Sequence, residues 1–227
     1  LAVASRSSYL ALMIERPQVL DRVIDLAAAS DWALRYVTLH PLLLDELMDG
    51  RTLSSPIDYA QWRNELTANL LATGDDAERA IDAIRHFQQG ETFRLLLKDI
   101  AGLLSVETLS DHLSSLADTV VDITLRHLLA AAHLAETARM AVIAYGRWGG
   151  KELGYASDLD LIFLMPDDAS AERDQLTRVA QRLQTWLTAM TAAGRAYDID
   201  VRLRPSFFPF VEPGFEVDVR LTKAESG

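Results

Sequence analysis

The sequence predicts an α+β chain, with a mainly helical N-terminal half followed by a sheet-bearing C-terminal part. Three observations carry this expectation. Up to about residue 137, apolar residues recur at helical spacing, punctuated by Ser, Asp, Gly and Pro at cap and loop positions. From Arg139 onward come short runs rich in β-branched and aromatic residues, "MAVIAYG", "DLDLIFL" and "RAYDIDVRLRP". An amphipathic segment over 168–193 separates the second run from the third, so a helix connects two strands. The expected organisation is a helical domain over 1–138, a sheet core over 139–206 and a tail over 207–227.

Taken in order, Ser5 and Ser8 precede a first helical stretch, "YLALMIERP", and Pro17 opens a second with Val19, Leu20, Val23, Ile24 and Ala27 as its apolar stripe. Ser30-Asp31 caps a short helix around Trp32, and Pro41 begins "PLLLDELMDG", closed by Gly50. "RTLSSP" reads as a loop, and "IDYAQWRNELTANLLAT" as the next helix. Thr73-Gly74-Asp75-Asp76 breaks the helical pattern and caps the helix after it. Two longer helices are expected, from Asp75 to about Leu104 and from Glu107 to about Thr137. The helix over 168–193 carries Leu176, Val179, Leu183, Trp186, Leu187 and Met190 on one face, with Gly194 as its C-cap, and Pro205 stops the third strand.

Composition narrows the function classes. Nearly half of the 227 residues are apolar, enough for a sizeable core. The 33 acidic residues against 22 basic ones, a net charge of -11, argue against nucleic-acid binding, which needs clustered Lys and Arg to replace counterions. With no cysteine, disulfides and thiolate metal sites are excluded. No apolar run has the length of a membrane span, and the N-terminus lacks the basic start and apolar stretch of a signal peptide, so a cytoplasmic protein without a membrane partner is expected. The chain begins without Met, as a piece of a longer protein would.

The chemistry concentrates in "GGKELGYASDLDLIFL", residues 149–164. Strand alternation puts Asp158 and Asp160 on one face and Leu159 and Leu161 on the other. In the third strand Asp198, Asp200, Arg202 and Arg204 share a face opposite Ile199, Val201 and Leu203. If the two strands are neighbours, Asp158, Asp160 and Asp200 converge, and carboxylates that close repel unless a cation neutralises them. Hard oxygen ligands completed by water are how proteins hold Mg²⁺ beside a nucleotide's phosphates. Gly149-Gly150, directly after a strand, would let backbone N–H groups approach such a phosphate. The plainer alternative stays open: Asp-x-Asp arises by chance in so acidic a chain, glycine pairs also simply end strands, and the aspartates would then form a solvated strand face.

"AVIAYGRWGGKELGYASDLDLIFL" followed by "YDIDVRLRPS" resembles the glutamine synthetase adenylyltransferase family, a branch of the DNA polymerase β-like nucleotidyltransferases. That superfamily's pattern is Gly-Gly or Gly-Ser, a spacer, an Asp-x-Asp on a strand and a later carboxylate on another strand. The spacer here, 151–157, has the length typical of the family. "ELGYASDLDL" is similar to the family's AMP-adding domain, and "SRSSYLALMIERP", "HPLLLDELMD" and "KDIAGLLSVETLSDHLSSLAD" resemble the region preceding it. The resemblance covers most of residues 5–206; the tail "FFPFVEPGFEVDVRLTKAESG" departs from it and echoes "IDVRL" as "VDVRL".

The resemblance implies a nucleotidyltransferase mixed sheet with flanking helices, and transfer of AMP from ATP to a tyrosine of glutamine synthetase, regulating nitrogen assimilation. It implies Asp158, Asp160 and Asp200 as catalytic Mg²⁺ ligands, and Gly149 and Gly150 bordering the triphosphate. Ser157 would contribute a hydroxyl, and Arg202 and Arg204 would contact phosphate or balance the acidic cluster, with Arg147 and Lys151 as weaker candidates. The family's enzymes carry a second, AMP-removing domain and respond to glutamine and the PII signalling protein. The alternatives are removal of AMP by phosphorolysis, and a helical interaction fragment whose catalytic site is incomplete. Among the other residues, the five histidines show no i,i+4 pair, which disfavours zinc. Trp32, Trp62 and Trp186 fall on helix stripes as core residues, and Trp148, beside the glycines, is a candidate for lining a base pocket.

Overall fold

The computed structural model describes residues 14–15, 17–40, 43–48, 52–135, 140–164, 172–191 and 193–199. Asp200, Arg202 and Arg204, the stretch at Ser5–Ser8 and the tail from residue 207 lie outside the described residues. In chain order the elements are α1 (Pro17–Ala29), α2 (Asp31–Leu39), α3 (Leu44–Met48), α4 (Tyr59–Leu71), α5 (Ala77–Ile100) and α6 (Val106–Ala131). The sheet region comes next, as β1 (Ala141–Tyr145), α7 (Gly146–Gly149), β2 (Asp160–Leu164) and α8 (Arg173–Thr188).

The helices begin where local chemistry dictates. Ser30 Oγ accepts from Ala33 N, Asp58 Oδ1 from Ala60 and Gln61 N, Asp76 Oδ1 from Arg79 N and Ser105 Oγ from Thr108 N. Each such cap contributes about 1 kcal/mol by satisfying an orphan N–H. Three helices end in the same paired turn. After α5, Leu103 N donates to Lys98 O and Gly102 N to Asp99 O, with Gly102 at φ +69. After α6 and α7 the left-handed position falls to His133 (φ 57) and Lys151 (φ 56), non-glycine residues in a conformation that costs L side chains energy.

The longest helices, α5 and α6, pack together with α4 and α8 around the main core. Trp62, Leu66, Leu70, Ile84, Leu116, Val120, Leu183, Trp186 and Leu187 meet there, and Trp148, Leu159 and Phe163 join them from the sheet side. The opposite side of α5 offers Phe93 and Leu96 to a second cluster built by α1, α2 and α3, with Leu26, Val37, Leu44 and Leu47. Between α3, α4 and α5 lies a polar network: Trp62 donates to the buried Glu91 carboxylate at 2.7 Å, and Arg94 grips both Glu91 and Glu46.

Several expectations shift. In α1, Val19 and Leu26 are buried but Leu20 and Ile24 are 41% and 55% exposed, because this helix packs on one side only, against α2 and α3. The helix expected over 168–193 is Arg173–Thr188, leaving Met190 68% exposed; Gly194, φ +94, sits in a separate turn closed on Thr191 and is not its cap. The sheet among the described residues has two antiparallel strands, β1 and β2, plus one parallel bridge, Leu159 to Ile199. This is an α+β fold dominated by helix.

Candidate active site

The site is built where β1, α7 and β2 meet. The antiparallel register sets Tyr145, the last residue of β1, opposite Asp160, the first of β2. Immediately after Tyr145 the chain swings into the single turn of α7 through Gly146, at φ +58. A Cβ at Gly146 would overlap Oδ2 of Asp160 and stand 3.1 Å from its Cγ, so the carboxylate of Asp160 lies flush against bare backbone. Gly149 is bound to smallness by a different neighbour: its Cβ would come 2.6 Å from the carbonyl oxygen of Ala144 in β1. At Gly150, a Cβ would be 3.2 Å from the Gly146 carbonyl.

Trp148, between these glycines, is 4% exposed and donates from Nε1 to Asp118 Oδ1 on α6 at 2.9 Å. It is therefore an anchor of α7 in the core, not the wall of a base pocket. Arg147 is exposed and Lys151 reaches no nearer than 4.0 Å to Asp111 on α6. Downstream, Leu153 is buried, and Tyr155 stacks on Trp32 of α2 while its hydroxyl donates to Asp99 of α5 at 2.9 Å. Ser157 closes the loop, its Oγ accepting from Gly154 N and its own N–H donating to Gly154 O. The oxygen thus accepts within the turn, a role that does not use the hydroxyl's own donor.

Asp158 is exposed and Asp160 half-buried, on either side of Leu159, which is fully buried. Leu159 N donates to Asp198 O at 2.8 Å, and the parallel bridge to Ile199 lays the incoming chain beside this start of β2. Asp198 carries a salt bridge to Arg195. Among the described residues no three carboxylate or histidine groups converge as a metal site. Asp158, just before β2, and Asp160, its first residue, are the described members of the expected triad; both offer hard carboxylate oxygens, the donor type Mg²⁺ takes.

Sequence reasoning missed what holds the approach to Asp198. Three side chains of α5, at i, i+3 and i+7, grip the segment after α8. Asp82 accepts from the Thr191 hydroxyl at 2.7 Å, Arg85 donates to the carbonyls of Ala189 and Trp186, and Gln89 donates to Ala193 O at 2.6 Å. Arg85 is fully buried, with Nε and Nη1 lacking a hydrogen-bond partner and Nη1 3.8 Å from Asp82. The available signal was the polar run "RHFQQGET" inside a long helix, whose residues Arg85, Gln88, Gln89, Glu91 and Thr92 are all buried.

Beside Ser157 and Asp198 opens a cavity of about 200 Å³ lined by Tyr36, His40, Gln88, Gln89, Tyr155 and Tyr197 among others. Burial pushes the phenols of Tyr36, Tyr155 and Tyr197 well above their ordinary value and pulls His40 below its own, with His86 adding to the effect. This wall is rich in hydrogen-bonding groups, and the Arg195–Asp198 ion pair lines the same cavity.

The glutamate-ammonia ligase adenylyltransferase family model matches residues 20–207. The chain belongs to the glutamate-ammonia ligase adenylyltransferase family. It is 49% identical over 208 residues to the bifunctional glutamine synthetase adenylyltransferase/adenylyl-removing enzyme of Chromobacterium violaceum, covering 90% of this chain and 23% of that protein. The same-named proteins of Ralstonia nicotianae and Neisseria meningitidis serogroup B are 49% and 43% identical over 90% of this chain, which covers 22% and 23% of them. The chain thus spans less than a quarter of the length of the curated relatives it matches. The family match takes in β1, α7 and β2 and so contains Gly146, Asp158 and Asp160. Among the described residues no helix is long and apolar enough to cross a membrane.

Proposed function

We propose that this chain carries the site for Mg²⁺-dependent transfer of AMP from ATP to a tyrosine of glutamine synthetase, in the cytoplasm, as part of a protein that regulates nitrogen assimilation. The observation that carries the reading is Asp160 at the start of β2, its carboxylate against the glycine turn after β1, with Asp158 two residues before it. The relatives' names, which give glutamine synthetase and both an adenylyl-adding and an adenylyl-removing activity, support the reaction class. The parallel bridge at Leu159 and Ile199 supports the reading of Asp200, the next residue in sequence, as a third carboxylate.

Asp158 and Asp160, with Asp200, would hold Mg²⁺, and the bare backbone at Gly146 gives the Asp160 carboxylate room to lie there. When bound, the ion would neutralise phosphate charge and acidify the attacking phenol. The acidic face itself repels a triphosphate until it is neutralised, so nucleotide binding is expected to require the metal. In this reading the exposed backbone of Gly149-Gly150 borders the phosphates, the Ser157 turn fixes the start of the strand, and Arg202 and Arg204 balance charge. The tyrosine oxygen attacks the α-phosphorus, the bond to the bridging oxygen breaks, and pyrophosphate leaves. PII and glutamine would act through the intact protein.

The test is transfer of α-phosphate label from ATP to glutamine synthetase by the intact protein. Label should appear on tyrosine, need Mg²⁺, and fall by a factor on the order of 10³ in Asp158→Asn/Asp160→Asn, about 4 kcal/mol of barrier. ADP released from adenylylated glutamine synthetase and phosphate, lost in the same variant, would instead assign this site the removing reaction. If neither activity responds to the variant, the reading is wrong.

A further inference from the structure

Beyond the aspartates, we infer that Gly146 is a positioning residue for Asp160: its missing side chain is the seat on which that carboxylate rests, and any larger residue there would displace it. The inference rests on the reading of Asp160 as a metal ligand.

Four glycines among the described residues have positive φ: Gly74, Gly102, Gly146 and Gly194. At Gly74 and Gly102 an added Cβ would meet nothing within 4 Å, so those positions need glycine only for the backbone turn. Gly194 faces His40 and Gln89 at 3.1 and 3.2 Å, the ends of side chains that can shift slightly. Gly146 differs from all three. Its Cβ would overlap Oδ2 of Asp160 and crowd Cγ at 3.1 Å and Cβ at 3.4 Å, so the collision involves the whole carboxylate arm.

Neither partner can retreat through its backbone. Asp160 is held by its register opposite Tyr145, and the residue before it, Leu159, is buried and tied to Asp198 and Ile199. Gly146 comes directly after Tyr145, and its carbonyl accepts from Gly150 N at 3.0 Å within the turn of α7, which Trp148 pins to α6. The strain of a side chain at 146 must therefore be relieved by rotation of the Asp160 side chain. The carboxylate would move by on the order of 1 Å, a displacement that costs about 100-fold at a catalytic constellation. Gly146 lies outside the Gly149-Gly150 pair, which packs on β1 and on α7 itself.

The experiment compares Gly146→Ala with Gly102→Ala in the intact protein; the second variant places alanine at a positive φ without any collision. Two readouts are taken: the Mg²⁺ concentration giving half-maximal AMP transfer, and Mn²⁺ binding followed by electron spin resonance, which needs no turnover. Gly146→Ala should raise the Mg²⁺ requirement and weaken Mn²⁺ binding at least 10-fold and lower transfer about 100-fold, while Gly102→Ala leaves all three unchanged. Thermal midpoints are measured in parallel for Gly146→Ala with and without Asp160→Ala. The loss caused by Gly146→Ala should shrink towards that of Gly102→Ala once the Asp160 carboxylate is gone. Unchanged metal binding in Gly146→Ala, where Asp160→Asn abolishes it, overturns the inference and leaves the reading of the site intact. Metal binding unaffected by Asp160→Asn overturns the reading, and with it the role assigned to Gly146.

Discussion

Arg85 offers a quantitative check on how the helical half grips the sheet region. Its guanidinium is fully buried on α5 and caps the C-terminal carbonyls of α8, donating from Nη2 to Ala189 O and, at 3.4 Å, to Trp186 O. The favourable part is one good charge-assisted hydrogen bond, about 1.5–3 kcal/mol, reinforced by the negative end of the α8 dipole. Against it stand Nε and Nη1, buried without a hydrogen-bond partner, each costing roughly 1–3 kcal/mol. Asp82, 3.8 Å away, offsets only part of the burial that draws this group's pKa down. The polar contributions nearly cancel. Arg85→Met, which keeps the length and removes the charge, should therefore cost only about 0–2 kcal/mol. Arg85→Ala removes the volume as well, and the cavity left in a sealed site should add about 2–4 kcal/mol more. Urea unfolding of this chain, monitored by circular dichroism, gives both numbers. If Arg85→Met is as damaging as Arg85→Ala, the carbonyl clamp outweighs the volume and the cancellation of polar contributions is refuted.

His133 is exposed and holds φ 57 in the turn that ends α6. His133→Gly should raise stability by roughly 0.5–1 kcal/mol, the relieved left-handed strain less the greater entropy of unfolded glycine; a lower urea midpoint would contradict it. Stability should also fall as the pH is lowered below 6.5. Burial depresses the folded-state pKa of His40, His112 and His127, so their contribution is complete above the unfolded value of 6.5 and is lost as the pH falls through the folded values. Glu91 has the opposite sign, since burial, opposed by Arg94 and Trp62, raises its carboxyl. Its contribution is complete below 4.5 and lost as pH climbs through the folded value. The histidine slope is read from thermal midpoints between pH 7.5 and 5.5, and His127→Gln, removing the ring beside Trp186 and Arg182, should flatten it.

What was legible in the sequence was what neighbouring residues decide. Ser30 and Asp76 announce helix starts because a cap bonds to an N–H three residues away. Leu159 is buried between the exposed Asp158 and the half-buried Asp160, as alternation requires. The end of α8 was not legible, because the carbonyls that close it are satisfied by Arg85, far away in sequence. Trp148 suggested a ligand wall because it adjoins glycines; its partner Asp118 belongs to another helix. The glycine pair drew attention as a phosphate border, yet Gly146, ordinary in sequence as a strand terminator, is the glycine in contact with a candidate catalytic carboxylate.

These long-range bonds share a direction. From α6, Asp118 fixes Trp148 and hence the turn under Asp160; from α5, Asp99 fixes Tyr155 in the loop leading to Asp158. Farther along α5, towards its N-terminus, Asp82, Arg85 and Gln89 fix the segment leading to Asp198 and Ile199. Every chain segment that delivers a carboxylate to the described site is therefore tethered by a side chain of the two long helices. The two five-residue strands among the described residues offer little ladder of their own to hold acidic groups against mutual repulsion. The helices supply that rigidity, which is why a long buried helix here carries Arg, Gln and Thr where packing alone would favour Leu and Ile.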